Sequence, residues 1–368
     1  MVGRKGTLEE LELILIDKTF WEGKKVFLTG HSGFKGSWLS LWLKKLGADV
    51  KGYSLKPYTT PNLYSEIELD SLIESEIGDI RNLEQLTKSM VSFDPDILIH
   101  MAAQPLVRLS YREPVETYEI NVIGTVNVFE AARKCSNLKS IVNVTTDKCY
   151  ENKEWYWGYR ENEPMGGHDP YSSSKGCSEL VTSAYRKSFM EGNGVGLASA
   201  RAGNVIGGGD WSSDRLIPDI IRAFDENKPV IVRNPKSTRP WQHVLEPLSG
   251  YLLLAQKLYM DPNKYSEGWN FGPQEDDAKS VEYILNKMVS LWPGSNWKLD
   301  DEKSPHEAGY LKLDISKAKM ALDWNPRWNL DSTLSRIISW HNNWKRGEDI
   351  KRLCSLEIDD YMKDCDIF

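Results

Sequence analysis

Cysteine and histidine are scarce in this chain, and neither residue type is spaced as a metal site or a disulfide framework. The 368 residues include five cysteines and six histidines. An odd number of cysteines with no C-x-x-C pair argues against a stapled secreted scaffold and against a zinc site. We therefore expect no bound metal and five reduced cysteines, namely Cys135, Cys149, Cys177, Cys354 and Cys365.

Long apolar runs and an excess of positive charge are also missing. No run approaches the length of a membrane span, and the short run Leu13–Ile16 is too brief and too closely flanked by acids for a signal peptide. The net charge is −7 and the isoelectric point is about 5.6, which argues against broad nucleic-acid binding. We expect a cytoplasmic protein with neither a membrane nor a nucleic acid as its partner.

Strand and helix patterns alternate from the first apolar run to about residue 203. Predicted strands cover 24–29, 49–53, a short segment ending at 77, 96–104, 140–146 and 195–200. Helical patterns lie between them, including 34–46, 114–135 and 170–190. Such alternation predicts a parallel sheet covered on both faces, so the fold class is α/β with a Rossmann-type, doubly wound sheet.

The alternation loosens after residue 203, where a smaller mixed α/β lobe is predicted. Its helices are expected near 215–227, 246–259, 280–291, 315–322 and 331–346. We divide the chain into an N-terminal appendage (1–20, with a weak helix over 8–16), a dinucleotide-binding domain (21–203) and a mainly substrate-binding lobe (204–368). Segments near 241–272 are expected to return to the first domain.

Three glycines link the first strand to the first long helix. Gly30, Gly33 and Gly36 stand three residues apart between a predicted strand and a predicted helix. Glycines at this spacing let the backbone turn tightly and approach a pyrophosphate, which then faces the helix N-terminus. The flanking strand and helix make this a dinucleotide-binding turn rather than a simple tight turn.

The end of the second strand lacks the acid that usually binds the adenosine ribose. Ser54 stands there instead, and Lys56 two residues later would suit a 2′-phosphate, so spacing alone leaves NAD and NADP open. Asp79 is either a helix cap or a contact to the adenine edge. Small residues at the exit of the fourth strand, Ala102 and Ala103, would let a cofactor lie across the strand ends.

Polar groups follow the strand 140–144 in the order Thr145, Thr146, Asp147, Lys148. In open α/β sheets this end of a strand faces the ligand crevice. Side chains alternate along a strand, so a regular strand would place Lys148 beside Thr146. Asp147 therefore requires a bend or bulge at the strand exit.

Tyr171 and Lys175 are spaced i, i+4, so they share one face of the predicted helix 170–190. Lowering a tyrosine pKa from about 10 to about 7 requires roughly 4 kcal/mol. One positive charge at about 4 Å supplies a similar amount at an effective dielectric constant of about 20. The pair is therefore predicted to form a general base. A second Tyr-x-x-x-Lys, Tyr283 to Lys287, has no such surroundings and is predicted to carry no chemistry.

These features together resemble the extended short-chain dehydrogenase/reductase family. The family pattern Thr-Gly-x-x-Gly-Phe-x-Gly stands here at 29–36, and its catalytic set stands as Thr146, Tyr171 and Lys175. The resemblance spans roughly residues 21–345. It favours NAD over NADP as cofactor. The cofactor-binding residues it predicts are Gly30, Ser32, Gly33, Phe34, Gly36, Ser54, Asp79, Ile80, Ala102, Ala103, Gln104, Asn121, Tyr171 and Lys175.

Within that family the chain is similar to the nucleotide-sugar 4,6-dehydratases, which carry an Asp after the catalytic Thr, here Asp147. Most dehydratases then have Glu where this chain has Lys148. The segments 31–38, 100–105, 145–150 and 201–211 resemble the branch that acts on CDP-glucose. Other nucleotide-sugar enzymes of this fold, such as 4-epimerases, remain an alternative. A non-catalytic NAD-binding regulator is another, although members of that type usually lose the Tyr or the Lys.

The resemblance implies a catalytic cycle. Tyr171 takes the sugar 4-OH proton while hydride passes from C4 to NAD. Lys175 holds the ribose, and Thr146 hydrogen-bonds the same sugar oxygen. Asp147 protonates the 6-OH as water leaves across C5 and C6. Hydride then returns to C6 and gives CDP-4-dehydro-6-deoxyglucose.

Two further roles are left open or assigned by resemblance. Lys148 either takes the C5 proton as a neutral amine or stabilises the enolate as a cation. The substrate pyrophosphate is expected to meet residues of the second lobe. Arg239 is our first choice, and the full predicted set is Asn204, Arg215, Arg233 and Arg239. The family often pairs through two long helices, here 114–135 and 170–190, so we also expect a homo-oligomer.

Overall fold

Seven parallel strands form the central sheet. The computed structural model describes residues 16–300 and 309–363, so the helix predicted over 8–16 lies, except for Ile16, outside the described residues. The strands along the described chain are β1 Lys25–Thr29, β2 Asp49–Ser54, β3 Glu74–Ile77, β4 Ile97–His100, β5 Ser140–Val144, β6 Gly196–Ala202, β7 Val205–Ile206, β8 Val230–Val232, β9 Thr238–Pro240, β10 Gln242–His243, β11 Gly268–Phe271, β12 Ala278–Ser280 and β13 Trp297–Leu299.

The order in the central sheet is β11-β6-β5-β4-β1-β2-β3, and every neighbouring pair is parallel. Strand β1 shows why both faces must be covered, since its side chains alternate between two cores. Val26 and Leu28 pack into one apolar cluster, whereas Phe27 packs into the other on the opposite face. The predicted α/β fold with a doubly wound parallel sheet is confirmed.

Helices cover both faces of this sheet and build the second lobe. They are α1 Lys18–Trp21, α2 Phe34–Lys45, α3 Leu63–Glu66, α4 Leu83–Phe93, α5 Val107–Arg112, α6 Pro114–Tyr118, α7 Gly124–Ala132, α8 Pro170–Tyr185, α9 Leu216–Asp225, α10 Leu245–Met260, α11 Pro262–Tyr265, α12 Val281–Leu291, α13 Ser316–Leu322, α14 Leu330–Lys345 and α15 Ile350–Lys363. Among the described residues, no helix combines the length and apolar composition that a membrane crossing requires.

The helix predicted over 114–135 is not continuous. A π-helical segment, Glu119–Ile123, separates α6 from α7, and a second π segment, Arg186–Met190, follows α8. The first carries Asn121, whose side-chain oxygen accepts a hydrogen bond from Gln104 N at 2.8 Å. π segments concentrate at functional sites because they displace one residue from the α-helical position. The apolar periodicity of the sequence alone does not predict such a local change in helix type.

Pairs of short strands form part of the second lobe. Strand β7 pairs with β10, β8 with β13 and β9 with β12, around an apolar cluster built from α9, α12 and α14. Two segments after residue 204 return to the central sheet. Helix α10 packs on one face of it, and β11 pairs with β6 as the last strand.

Helix α15 was not predicted from the sequence, and a buried carboxylate anchors it. The Tyr361 hydroxyl donates to Glu246 Oε2 at 2.6 Å, and the backbone amides of Arg327 and Trp328 donate to the same carboxylate. Burial raises the pKa of Glu246 to about 7, although these hydrogen bonds oppose the shift. The anchor joins α15 to the start of α10 across 115 residues of sequence.

Candidate active site

The glycine turn after β1 forms a cradle at the N-terminus of α2. Gly30 has a φ of 80°, and a side chain there would lie 2.7 Å from Ala102 N. A side chain at Gly36 would collide with the Gly30 carbonyl. Gly33 differs, because its nearest neighbour would be Gly30 O at 3.5 Å. No side chain caps α2 at Gly33, so this helix N-terminus is suited to an anion such as a pyrophosphate.

Hydroxyl groups line the strand end beside this turn. Ser54 Oγ lies 2.8 Å from Ser32 Oγ and 3.1 Å from His31 Nδ1. Burial lowers the pKa of His31 to about 4, so its ring is neutral. A neutral cluster of His31, Ser32 and Ser54 therefore lies at this strand end, where the family usually has an acid. Phe34, beside the turn, packs on the larger apolar cluster.

Asp79 does not act as the helix cap that the sequence allowed. Its carboxylate accepts from Arg81 Nη2 at 2.7 Å, and helix α4 is capped instead by Asn82. The contact of Asp79 to an adenine stays a prediction. Ile80 next to it is buried and packs on Gly124 at the start of α7.

Asn121 and Gln104 connect the exit of β4 to helix α8. The Asn121 amide donates to Gln104 O at 3.0 Å and to Ser174 Oγ at 2.9 Å, and its oxygen accepts from Gln104 N. The Gln104 side chain turns away toward Thr117. Both side chains are thus engaged within the protein, whereas Ala102 and Ala103 stay half-buried at the crevice.

The turn after β5 supplies the bend that Asp147 requires. Residues Asp147–Cys149 form a single 3₁₀ turn, and the Thr146 hydroxyl caps it. The same hydroxyl donates to Asp147 Oδ1 at 3.0 Å. The predicted departure from regular strand geometry is therefore confirmed.

Helix α8 brings Tyr171 and Lys175 to this turn. Asp169 caps the helix, and Tyr171 N donates to Ser110 Oγ at 3.1 Å. Lys175 Nζ donates to Val144 O, the last carbonyl of β5, at 3.3 Å. The structure therefore brings together the catalytic residues predicted from the sequence, namely Thr146, Asp147, Lys148, Tyr171 and Lys175.

The expected lowering of the Tyr171 pKa toward 7 is wrong for this arrangement. Burial raises its pKa to about 12, and Asp147 adds to the rise. A hydrogen bond to Thr146 and the charge of Arg215 act in the opposite direction. Burial also lowers the pKa of Lys175 to about 8. The sequence argument counted only the attraction between two charges, whereas burial disfavours the charged form of each.

The Asp147 carboxyl group is buried. Its side chain is only 2% exposed, and Oδ2 has no hydrogen-bond partner among the described residues. Burial raises its pKa, although Lys148, Thr146 and Arg239 oppose the shift. A raised pKa makes a carboxyl group a better proton donor near neutral pH than an exposed one would be.

Positive charges converge on this pocket in a chain whose net charge is negative. Arg215 acts electrostatically on Tyr171, and Arg239 acts on Asp147. Lys35 donates to the Tyr251 hydroxyl at 3.0 Å. Its pKa falls to about 7 because it is buried and because Lys175 and Arg215 repel its charge. Repelling cations held together in this way are suited to anions such as pyrophosphates.

The four predicted substrate-binding residues separate into two groups. Arg215 and Arg239 lie near the catalytic residues, as above. Asn204 immediately precedes β7, and its carbonyl accepts a hydrogen bond from Gln242 N at 3.0 Å. Arg233 instead forms an ion pair with Asp300 at 3.5 Å, between β8 and β13.

Several residues of the site were missed from the sequence. Ser110 and Tyr251 gave no signal, since α5 was not predicted and Tyr251 lies in an apolar helix. Lys35 lies within the glycine motif 29–36, and Glu179 lies one helical turn after Lys175. The sequence therefore offered a signal for both residues. No metal-binding group of His, Cys, Asp or Glu occurs in the part of the chain that the structure describes.

Comparison with known proteins defines the class. The model of the family described as GDP-mannose 4,6 dehydratase matches residues 27–337, and the chain belongs to this family. The resemblance drawn from the motifs is thereby confirmed. A CDP-glucose 4,6-dehydratase from Salmonella typhimurium is 62% identical over 354 residues, which cover 95% of this chain and 99% of that protein.

Solved structures share the fold at lower identity. An epimerase from Methanothermobacter thermautotrophicus has a TM-score of 0.77 and 22% identity, covering 90% of this chain and 97% of its own. A dTDP-glucose 4,6-dehydratase from Bacillus anthracis, solved in complex with NAD, has a TM-score of 0.73 and 21% identity. That match covers 90% of this chain and 100% of its own.

The glycine turn yields a test that separates cofactor binding from folding. Gly33→Ala places a methyl group in the open cradle, and overpacking costs about 1–3 kcal/mol. We expect NAD affinity to fall by about tenfold or more with little change in the thermal unfolding midpoint. Gly36→Ala, which collides with Gly30 O, should lower that midpoint instead. Fluorescence titration with NAD and thermal unfolding measure the two effects. Equal NAD affinity in Gly33→Ala and the wild type would contradict the assignment.

Proposed function

We propose that this protein is a CDP-glucose 4,6-dehydratase that uses NAD and converts CDP-glucose into CDP-4-dehydro-6-deoxyglucose. The observation that carries the proposal is the buried Asp147 carboxyl, which stands beside Thr146 in the pocket of Tyr171 and Lys175. The 62% identity to a CDP-glucose 4,6-dehydratase supports the choice of base and sugar. In the domain division that we propose, the cofactor lies in the 21–203 part and the nucleotide sugar also meets the lobe after 204.

The crevice fits NAD at its pyrophosphate and along the strand ends. The open cradle at Gly33 and the cation of Lys35 suit the pyrophosphate. Ser32 and Ser54 offer hydroxyl groups where a ribose is expected. Bound NAD supplies the hydride acceptor for C4 and the hydride donor for C6.

The first proton transfer belongs to Tyr171. Its hydroxyl stands beside the Thr146 hydroxyl, so both can bond the sugar 4-oxygen. Because burial raises the Tyr171 pKa, formation of the phenolate depends on nearby positive charge such as that of Arg215. Lys175 Nζ donates to Val144 O at 3.3 Å, which places the ammonium group at the exit of β5.

The elimination belongs to the turn after β5. Asp147 donates its proton to the departing 6-OH, and burial favours this role because it raises the pKa of the carboxyl group. Lys148 is half-buried next to Asp147, and we assign it to the chemistry at C5 of the sugar. Two roles fit Lys148, a neutral base for the C5 proton or a cation beside the developing enolate. Both place its amine at C5.

The second candidate function is 4-epimerisation of a nucleotide sugar, which is favoured only by the shared fold. An epimerase needs the tyrosine and lysine but has no step that consumes a proton at C6. The buried acid at Asp147 therefore distinguishes the two functions.

Substrate choice is tested with a panel of nucleotide-linked glucoses. We expect CDP-glucose to lose one water, as seen by mass spectrometry, and to be turned over faster than dTDP-, UDP- or GDP-linked sugars. No net reduction of NAD should accumulate, because hydride returns to the sugar. Faster turnover of dTDP- or UDP-glucose would remove the CDP assignment, and retained mass with galactose formed would favour the epimerase.

The role of Asp147 is tested with Asp147→Asn. The amide cannot donate its proton as an acid does, so elimination should slow by about 10²–10⁴-fold. C4 oxidation should persist because Tyr171 and Lys175 perform it, so absorbance of reduced nicotinamide should build up with CDP-glucose. Tyr171→Phe is the control and should show no such absorbance. Full turnover in Asp147→Asn would show that the acid is wrongly assigned.

We also propose a homo-oligomer that forms through α6, α7 and α8. Apolar side chains are exposed on α6 and α8, with Val115 at 71% and Leu180 at 61%, and on the π-helical segment between α6 and α7, with Ile123 at 53%. Exposed apolar surface of this kind marks an interface in soluble proteins. The two helical regions pack side by side, so they present one continuous surface.

A charge at the centre of this surface should separate the subunits. Leu180→Glu would bury a carboxylate in the proposed interface, which is strongly unfavourable without a partner. We expect a smaller mass by light scattering coupled to size-exclusion chromatography. Met320→Glu is the matched control, since Met320 is 82% exposed on α13 and lies outside the proposed surface. An unchanged mass for Leu180→Glu, or an equal loss in Met320→Glu, would contradict the proposal.

A further inference from the structure

A buried ion pair lies behind the catalytic turn and is used by no step above. Glu179 on α8 and Arg201 on β6 are each 5% exposed. The Glu179 carboxylate accepts from Arg201 Nε at 3.0 Å and Nη2 at 2.8 Å, from Ser199 Oγ at 2.7 Å and from Thr145 Oγ1 at 2.5 Å. Burial alone would raise the pKa of Glu179, but Arg201 and these hydrogen bonds hold it below its usual value. The pair is therefore ionised.

Arg201 extends the network to the other end of the turn. Its Nη1 donates to the Tyr150 hydroxyl at 2.7 Å and to Glu161 O at 3.0 Å. The Tyr150 hydroxyl in turn donates to Asn270 Oδ1 at 2.7 Å. Gly268 makes room for the guanidinium, because a side chain there would lie 2.5 Å from Arg201 Nη2.

The network therefore holds both ends of one short segment. Thr145 immediately precedes Thr146, and Tyr150 immediately follows the 3₁₀ turn Asp147–Cys149. The turn lies beyond the last residue of β5, so the regular strand ladder no longer supports it. Tyr171 and Lys175, by contrast, are fixed by the backbone of α8 itself.

We propose that Glu179 and Arg201 are positioning residues for the elimination step. Through Thr145 and Tyr150 they hold the turn that carries Asp147 and Lys148 against the C5–C6 bond of the sugar. This role rests on the proposed function. A buried ion pair gains little stability over an apolar pair, because desolvation offsets its attraction. The ion pair instead contributes hydrogen bonds of fixed direction to Thr145 and Tyr150.

The role predicts that the two half-reactions respond differently. Thr145→Val and Tyr150→Phe each remove the side-chain hydrogen bond between the ion pair and one end of the turn and leave the ion pair in place. The backbone hydrogen bonds there, such as Thr145 N to Ala200 O, remain. Misplacement of a catalytic group by about 1 Å costs about 10²-fold. We expect elimination to slow by about 10–100-fold and C4 oxidation to change by less than about threefold. Single-turnover absorbance of reduced nicotinamide separates the steps, since its rise reports oxidation and its decay follows elimination.

Two further variants distinguish positioning from general loosening. Thr145→Ser retains the hydroxyl and should restore elimination. Tyr283→Phe removes a comparable hydrogen bond, from the Tyr283 hydroxyl to Asp331 Oδ1 at 2.7 Å, far along the chain from the turn. It should leave both steps unchanged.

The outcomes are distinguishable. A slower decay with an unchanged rise in Thr145→Val and Tyr150→Phe supports the positioning role. Equal slowing of both half-reactions, or no slowing of elimination in either variant, overturns it. Failure of the wild-type protein to lose water from CDP-glucose, measured first, would overturn the proposed function and the positioning role with it.

Discussion

The parallel pairing of β1, β4 and β5 is the constraint on which the rest of the structure depends. Thr29 pairs with His100, and His100 pairs with Asn143, so three strands end at the same edge of the sheet. Because the strands run in one direction, the glycine turn, the small exit of β4 and the polar turn after β5 all open into one crevice. A hydrogen bond of 2.7 Å between Thr29 Oγ1 and His100 Nδ1 fixes the first two exits relative to each other.

Burial then decides the chemistry of the groups that meet there. The same low-polarity surroundings raise the pKa of Asp147 and Tyr171 and lower the pKa of Lys175. Local charges oppose this effect at both acids: Lys148 and Arg239 lower the pKa of Asp147, and Arg215 lowers the pKa of Tyr171. Anionic ligands would also relieve the repulsion among the cations around Lys35.

Support for the site comes from residues that do no chemistry themselves. Asn121 joins the exit of β4 to α8, Ser110 fixes the first turn of α8, and Glu179 with Arg201 holds the turn after β5. The second Tyr-x-x-x-Lys shows the contrast. Tyr283 and Lys287 both bind Asp331 in a half-exposed setting.

The sequence by itself determined the α/β class, most strand positions and the identity of the turn residues, because these follow from local periodicity and from motifs within short segments. Gly33, Thr146 and Tyr171 are examples. The orientation of Asp147, the rise of the Tyr171 pKa through burial, and the approach of Arg215 rather than Arg233 to the pocket were settled by tertiary contacts. These outcomes depend on desolvation and on contacts between residues far apart in the chain, such as Glu179 with Arg201 or Glu246 with Tyr361, which no local pattern encodes.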